Sequence, residues 1–148
     1  MNEDPFDLAR FLEAQEGVYP RALAELCAGA KQTHWMWFVF PQLRRLGTSA
    51  MSRRYGITGR GEAAAYLGHA VLGQRLIEAT EAMLALPDGT DATAVLGAID
   101  AAKFRSSVTL FEAAGGCTPF GRALERYAAG SRCRRTLELV ADQSKLGR

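Results

Sequence analysis

Acidic residues are missing from one long stretch of this chain. The thirty-six residues from Leu26 to Gly61 contain no Asp and no Glu, yet carry Lys31, Arg44, Arg45, Arg53, Arg54 and Arg60. Cysteine is scarce as well: Cys27, Cys117 and Cys133 stand at spacings that match neither a paired disulfide framework nor a Cys-x-x-Cys metal or redox motif, and they read as reduced thiols. Histidine occurs only as His34 and His69, with no His-x-x-x-His pair and no carboxylate cluster beside either, so no metal and no cofactor is expected. No apolar run approaches the roughly 20 residues that span a bilayer. The start, Met1-Asn2-Glu3-Asp4-Pro5, is acidic and has no apolar core, which argues against a signal peptide. The expectation is a cytoplasmic protein with no membrane partner.

What is present is enough for one core. At 148 residues and 48% hydrophobic, the chain is expected to form a single domain over 1-148, being too short for two ordinary ones. The net charge of +2 hides four blocks. Residues 1–30 carry six acids against two bases, 31–60 six bases and no acid, 61–121 seven acids against three bases, and 122–148 seven bases against three acids. Such a field attracts an anion locally, although the whole chain is not basic enough for a general nucleic-acid coat.

Punctuation along the chain reads as helix after helix. Asp4-Pro5-Phe6-Asp7 supplies an N-cap, a proline at the first helical position and an acid in the first turn, ahead of an apolar stretch that stops at Gly17. Pro20 opens a second helix with Gly29 as its C-cap. Ser49 caps a short helix to Arg54 that stops at Gly56, and Glu62 to Leu67 forms another, with His69 at a break. Leu72, Leu76, Ile77, Met83 and Leu84 mark an amphipathic helix over 71–86, ended by Pro87-Asp88-Gly89. Asp91 caps a brief turn to Gly97, and Asp100 caps a helix over 101–114 that Gly115-Gly116 ends. Thr118-Pro119 starts a helix to Gly130, and 136–146 forms the last. Trp35 to Pro41 shows no helical stripe, so a short buried strand, an extended segment and an irregular helix are all open. The architecture is expected to be mainly α, a compact multi-helix domain with a short extended aromatic segment around residues 35–41.

The acid-free stretch holds both tryptophans of the chain in His34-Trp35-Met36-Trp37-Phe38-Val39-Phe40-Pro41-Gln42. His34, Trp35, Trp37 and Gln42 fit a pocket in which an indole stacks on a base, the imidazole moves a proton or meets a phosphate, and the amide reads a hydrogen-bonding edge. Phe38, Val39 and Phe40 are better assigned to the core, since aromatic runs usually pack. Lys103, Ser106 and Ser107 lie at i, i+3 and i+4, which places an ammonium and two hydroxyls on one helical face able to hold phosphate, unless the serines bond back to a carbonyl. Lys31, Arg53 and Tyr55 are further ligand contacts from the acid-free stretch, and Glu62 is the candidate carboxylate for proton transfer, with Asp100 read more simply as a cap.

Several stretches together resemble a known family. They are Asp4-Pro5-Phe6-Asp7-Leu8-x-Arg10-Phe11, Lys31-x-x-His34-Trp35-Met36-Trp37-Phe38-x-Phe40-Pro41-Gln42, Glu62-Ala63-x-x-Tyr66-Leu67-x-His69, Leu72-Gly73-x-Arg75-Leu76 and Lys103-x-x-Ser106-Ser107-x-Thr109-Leu110-Phe111. This set resembles the bacterial domain-of-unknown-function family 1810 over roughly Asp4 to Leu139, which implies a mainly helical fold of uncharacterised function. Arg45 stands where that family usually has Gly, and Phe104 and Val108 where Leu and Met are usual. The run from Glu62 to Leu76 with the helix of Lys103 is also faintly similar in layout to the N-glycosidases of the NADAR group, and no residue role is carried over from it.

Two functions are consistent with these residues. One is a small hydrolase that cleaves an N-glycosidic bond in a nucleotide or ADP-ribose-type ligand, with His34, Glu62 and Lys103 catalytic and Lys31, Trp35, Gln42, Arg53, Tyr55, Ser106 and Ser107 binding. The other is a non-catalytic module for a nucleotide or a nucleic-acid segment. Concavity separates them: an enzyme should gather His34, Trp35 and Lys103 around one cavity, whereas a nucleic-acid surface should leave the arginines on an open stripe.

Overall fold

The computed structural model describes residues 3–115 and 118–146, with side chains to residue 141. Cys117 and the helix stop expected at Gly116 lie outside the described residues, as do Met1 and Asn2. The helices are α1 (Ala9–Gln15), α2 (Tyr19–Ala28), α3 (Met36–Val39), α4 (Ala50–Tyr55), α5 (Arg60–Gly68), α6 (Leu72–Leu84), α7 (Ala92–Leu96), α8 (Ala98–Gly115), α9 (Thr118–Ala128) and α10 (Arg134–Leu146), with a 3-10 turn at Arg44–Leu46. The fold is mainly α, as expected. Among the described residues no strand forms, and the sole extended pairing is an isolated parallel bridge between Leu43 and Ile57.

Local chemistry explains most of the boundaries. Gly29 closes α2 at φ 73, the left-handed conformation that glycine adopts without strain. Ser49 Oγ accepts from the Ser52 amide at 3.1 Å and caps α4, while Asp91 accepts from the Thr93 amide at 3.2 Å and caps α7. His69 Nδ1 accepts from the Val71 and Leu72 amides, so the histidine at the break ends α5 and takes two amides leading into α6. Asp4 also caps, but with a delay. Its carboxylate takes the Leu8 and Ala9 amides at 2.7 and 2.9 Å around a turn in which Asp7 has φ 54, and α1 starts at Ala9 rather than next to Pro5.

Two expectations are corrected here. Asp100 is not a cap: Gly97, at φ 88, lets α7 end and α8 begin at Ala98, which puts Asp100 in the first turn with its carboxylate directed sideways. The aromatic segment is not extended either. Met36–Val39 winds into one helical turn, with the Val39 amide on Trp35 O at 3.1 Å and the Phe40 amide on Met36 O at 3.1 Å. A strand there would need a neighbour for its backbone groups, whereas the turn satisfies them locally. The carboxyl end of that turn is buried and caught from the side, because Phe38 O accepts from Gln15 Nε2 at 2.8 Å and from the Tyr66 hydroxyl at 3.3 Å.

The buried apolar side chains form one continuous cluster around α8, which packs against α5, α7, α9 and α10. Every residue from Ser106 to Phe111 is buried, so this helix is covered all round its middle. Phe40, as expected, is core: its ring meets Phe104 edge-on at 4.9 Å, and Phe11 meets Tyr66 edge-on at 5.0 Å. Close approach of α5 to α6 depends on Gly73, where an added Cβ would lie 1.9 Å from Leu67 O.

Candidate functional site

One buried carboxylate organises the loop that precedes α3. Glu25, on the inner face of α2, accepts from the Gln32 amide at 2.8 Å, the Thr33 amide at 3.1 Å, the Thr33 hydroxyl at 2.8 Å and the Trp35 indole N–H at 2.8 Å. Burial pushes this carboxyl up, but the Gln32, Trp35 and Thr33 hydrogen bonds outweigh it and hold the pKa at about 2. Trp35 is thereby sealed in the core at 0% exposure. The stacking platform expected of Trp35 is corrected on this ground: its edge is spent on Glu25, and no face is open to a base.

The loop so fixed brings Lys31 to the start of α8 and carries His34 exposed beside it in the chain. Lys31 Nζ lies 3.0 Å from Asp100 Oδ2, and its amide is tied to Val95 O at 2.9 Å. Lys103, one turn along α8, reaches the other oxygen of Asp100 at 3.6 Å and sits 3.7 Å above the centre of the half-buried Trp37 ring. Lys31 lies 5.2 Å from the Trp35 ring. Two ammoniums therefore share one carboxylate against two indoles, and the cation-π contacts lower the cost of holding them together. A cation early in a helix is disfavoured by the macrodipole, and Asp100 in the first turn offsets that. His34 is exposed on the segment between the two contacts, three residues after Lys31 and three before Trp37.

The remaining candidates disperse. Ser107 is buried on the Lys103 face of α8, and its hydroxyl has no hydrogen-bond partner. Ser106 does not join it: its hydroxyl donates back to Ala102 O at 3.1 Å and lies 3.4 Å from Cys133 Sγ, on the side of α8 toward α10. Gln42 and Tyr55 border a narrow crevice with Trp37, Ser52 and Gly56, and the buried Ser52 hydroxyl there has no partner. Tyr55 packs on Phe11 and Phe38, which makes it a wall of the core rather than an open ligand contact. Arg53 donates to Thr48 O at 2.6 Å and lines a separate, open groove of about 440 Å³ with Phe6, Asp7, Arg44 and Arg54.

Glu62 is corrected as a catalytic group. It is 1% exposed, and Oε2 accepts from Arg10 Nη2 at 2.8 Å while Oε1 takes the Thr58 amide and hydroxyl, both at 2.9 Å. Arg10 is in turn held by the carbonyls of Phe6, Asp7, Arg54 and Gly56. This is a buried ion pair that ties the N-terminal segment to α4 and α5, with three donors on its two oxygens and no access for a substrate. Among the described residues no group of three or more His, Cys, Asp or Glu could hold a metal ion, and no helix is long and apolar enough to cross a membrane.

Glu25 is the residue that sequence reasoning missed. Its signal was present, since it falls at i+3 from Ala22 and directly before Leu26 on a face that is otherwise apolar, and an acid in such a position needs donors from elsewhere in the chain.

A comparison with curated proteins finds no match. Among solved structures the chain is similar to the crystal structure of the conserved hypothetical protein Rv1873 from Mycobacterium tuberculosis, with a TM-score of 0.91 and 47% sequence identity over 93% of this chain and 99% of that one. A family model described as "protein of unknown function (DUF1810)" matches residues 5–140. The chain belongs to that family.

Proposed function

We propose that the chain binds a small phosphate-bearing ligand of the nucleotide or ADP-ribose type, without transforming it, at the surface formed by Lys31, His34, Trp37, Asp100 and Lys103. The observation that carries this reading is the convergence of Lys31 and Lys103 on one carboxylate beside a partly open indole. Asp100 neutralises only one of the two ammoniums. The looser contact, Lys103 to Asp100 at 3.6 Å, is the one an incoming phosphate would replace, and exposed His34 supplies a further contact from the neighbouring loop. Ser107, one turn beyond Lys103 on the same helical face, is buried at 0% exposure and does not reach a ligand at this surface.

N-glycosidic hydrolysis has weaker support. It needs a group that moves a proton at the scissile bond, and with Glu62 closed off by Arg10 and Thr58 and both oxygens of Asp100 facing ammoniums, exposed His34 would have to act without a carboxylate partner. A nucleic-acid backbone is a second reading, favoured by the open groove of Arg44, Arg53 and Arg54.

A thermal-shift series with AMP, ADP and ADP-ribose tests the proposal. Saturation at about a hundred times the dissociation constant stabilises a protein by about 2.7 kcal/mol. The shift should vanish in Lys103→Ala and shrink in His34→Ala. Equal shifts in wild type and both variants would remove the proposed site.

A further inference from the structure

Across α8 from Lys103 lies a second constellation. Ala98, Ala101, Ala102, Arg105 and Val108 recur at steps of three and four, a stripe on the side opposite Asp100, Lys103 and Ser107. Where α7 and α9 pack on this stripe, its alanines are too small to fill the crossing. A pocket of about 310 Å³ remains, with Phe104, Val108, Leu124 and Tyr127 among its lining residues. This is a volume that suits a small molecule.

Arg105 lines the pocket and is already fixed in position. Its Nε donates to Ser131 O at 2.7 Å, and its Nη2 donates to Ser131 Oγ at 2.7 Å and Arg132 O at 2.9 Å. All three acceptors are neutral, and they occupy three of the five guanidinium donors, leaving the two on Nη1. Among the described residues no carboxylate lies within 4.0 Å of it. The acid in the pocket wall, Asp91, accepts from the Thr93 amide as the cap of α7. An immobilised guanidinium with an unused edge beside an apolar floor is the pattern that recognises a carboxylate on an apolar body.

We propose that this pocket binds a small apolar carboxylic acid, its hydrocarbon or aromatic body against Phe104, Leu124 and Tyr127 and its carboxylate on Arg105 Nη1. The site is independent of the Lys103 cluster, and its occupant needs no phosphate.

Titration calorimetry with phenylacetate and octanoate, each paired with its neutral amide, tests the assignment. The acids should bind at least about tenfold more tightly than the amides, the difference expected of a charge-assisted contact. Arg105→Gln should abolish that preference. Because Arg105 also anchors residues 131 and 132, Ala102→Leu supplies a second variant: it fills the pocket, keeps the guanidinium, and should weaken acid and amide alike by at least about tenfold. Lys103→Ala should change neither. Absence of saturable binding by both acids, equal affinity for acid and amide, or full binding by Ala102→Leu would overturn the proposal.

Discussion

Glu25 carries four hydrogen bonds from a loop that has no regular structure of its own, so the placement of Lys31 and His34 depends on its ionised form. Its pKa falls from an ordinary 4.5 to about 2 on folding. A depressed carboxylate contributes stability that is fully present above about 4.5 and is lost as the pH falls toward about 2. Urea midpoints should therefore decline over that window in wild type, and Glu25→Gln should flatten the decline while lowering the midpoint at neutral pH. A variant whose midpoint follows the wild-type acid limb would contradict the role given to Glu25. The Arg10–Glu62 pair has a different signature. Glu62→Ala leaves a buried guanidinium without its counter-charge and should cost about 3–5 kcal/mol in denaturant unfolding. Any surviving folded protein should bind ligand as wild type does, whereas a catalytic Glu62 would leave stability little changed and abolish turnover.

At the scale of elements, helix ends were legible where a side-chain cap or a left-handed glycine acts on its own neighbours. Ser49, Asp91 and Gly29 act within a few residues of their positions, and local chemistry decides them. Asp100 and the aromatic segment were not legible, for a common reason: each is governed by a partner far along the chain. Asp100 is drawn to Lys31, and the turn at Met36–Val39 is held by Gln15 and Tyr66 through Phe38 O. The face shared by Lys103 and Ser107 was readable from spacing, but Ser106 could be separated from it only once α10 placed Cys133 beside it. The α5–α6 contact gives an element-level prediction. Gly73→Ala drives a methyl into the Leu67 carbonyl, so the helices must part, and the expected cost is about 1–3 kcal/mol as a lowered melting temperature. An unchanged melting temperature would show that the two helices can shift at no cost.

For the whole molecule, the four charge blocks seen in the sequence are not simply an attractive field. Much of the positive charge between residues 31 and 60 is committed: Lys31 to Asp100, Arg53 to Thr48 O and Arg54 to the Tyr55 hydroxyl. Among the described residues these cations fall into two groups, the compact Lys31–Lys103 cluster on Trp37 and the open groove of Arg44, Arg53 and Arg54. The proposed ligand site is the first. Titration calorimetry of ADP-ribose into wild type, Lys103→Ala and Arg53→Ala separates them most directly. Loss of a charge-assisted phosphate contact should weaken Lys103→Ala by about tenfold or more, with Arg53→Ala unchanged. Undiminished affinity in Lys103→Ala together with loss in Arg53→Ala would contradict the account and place the ligand in the arginine groove.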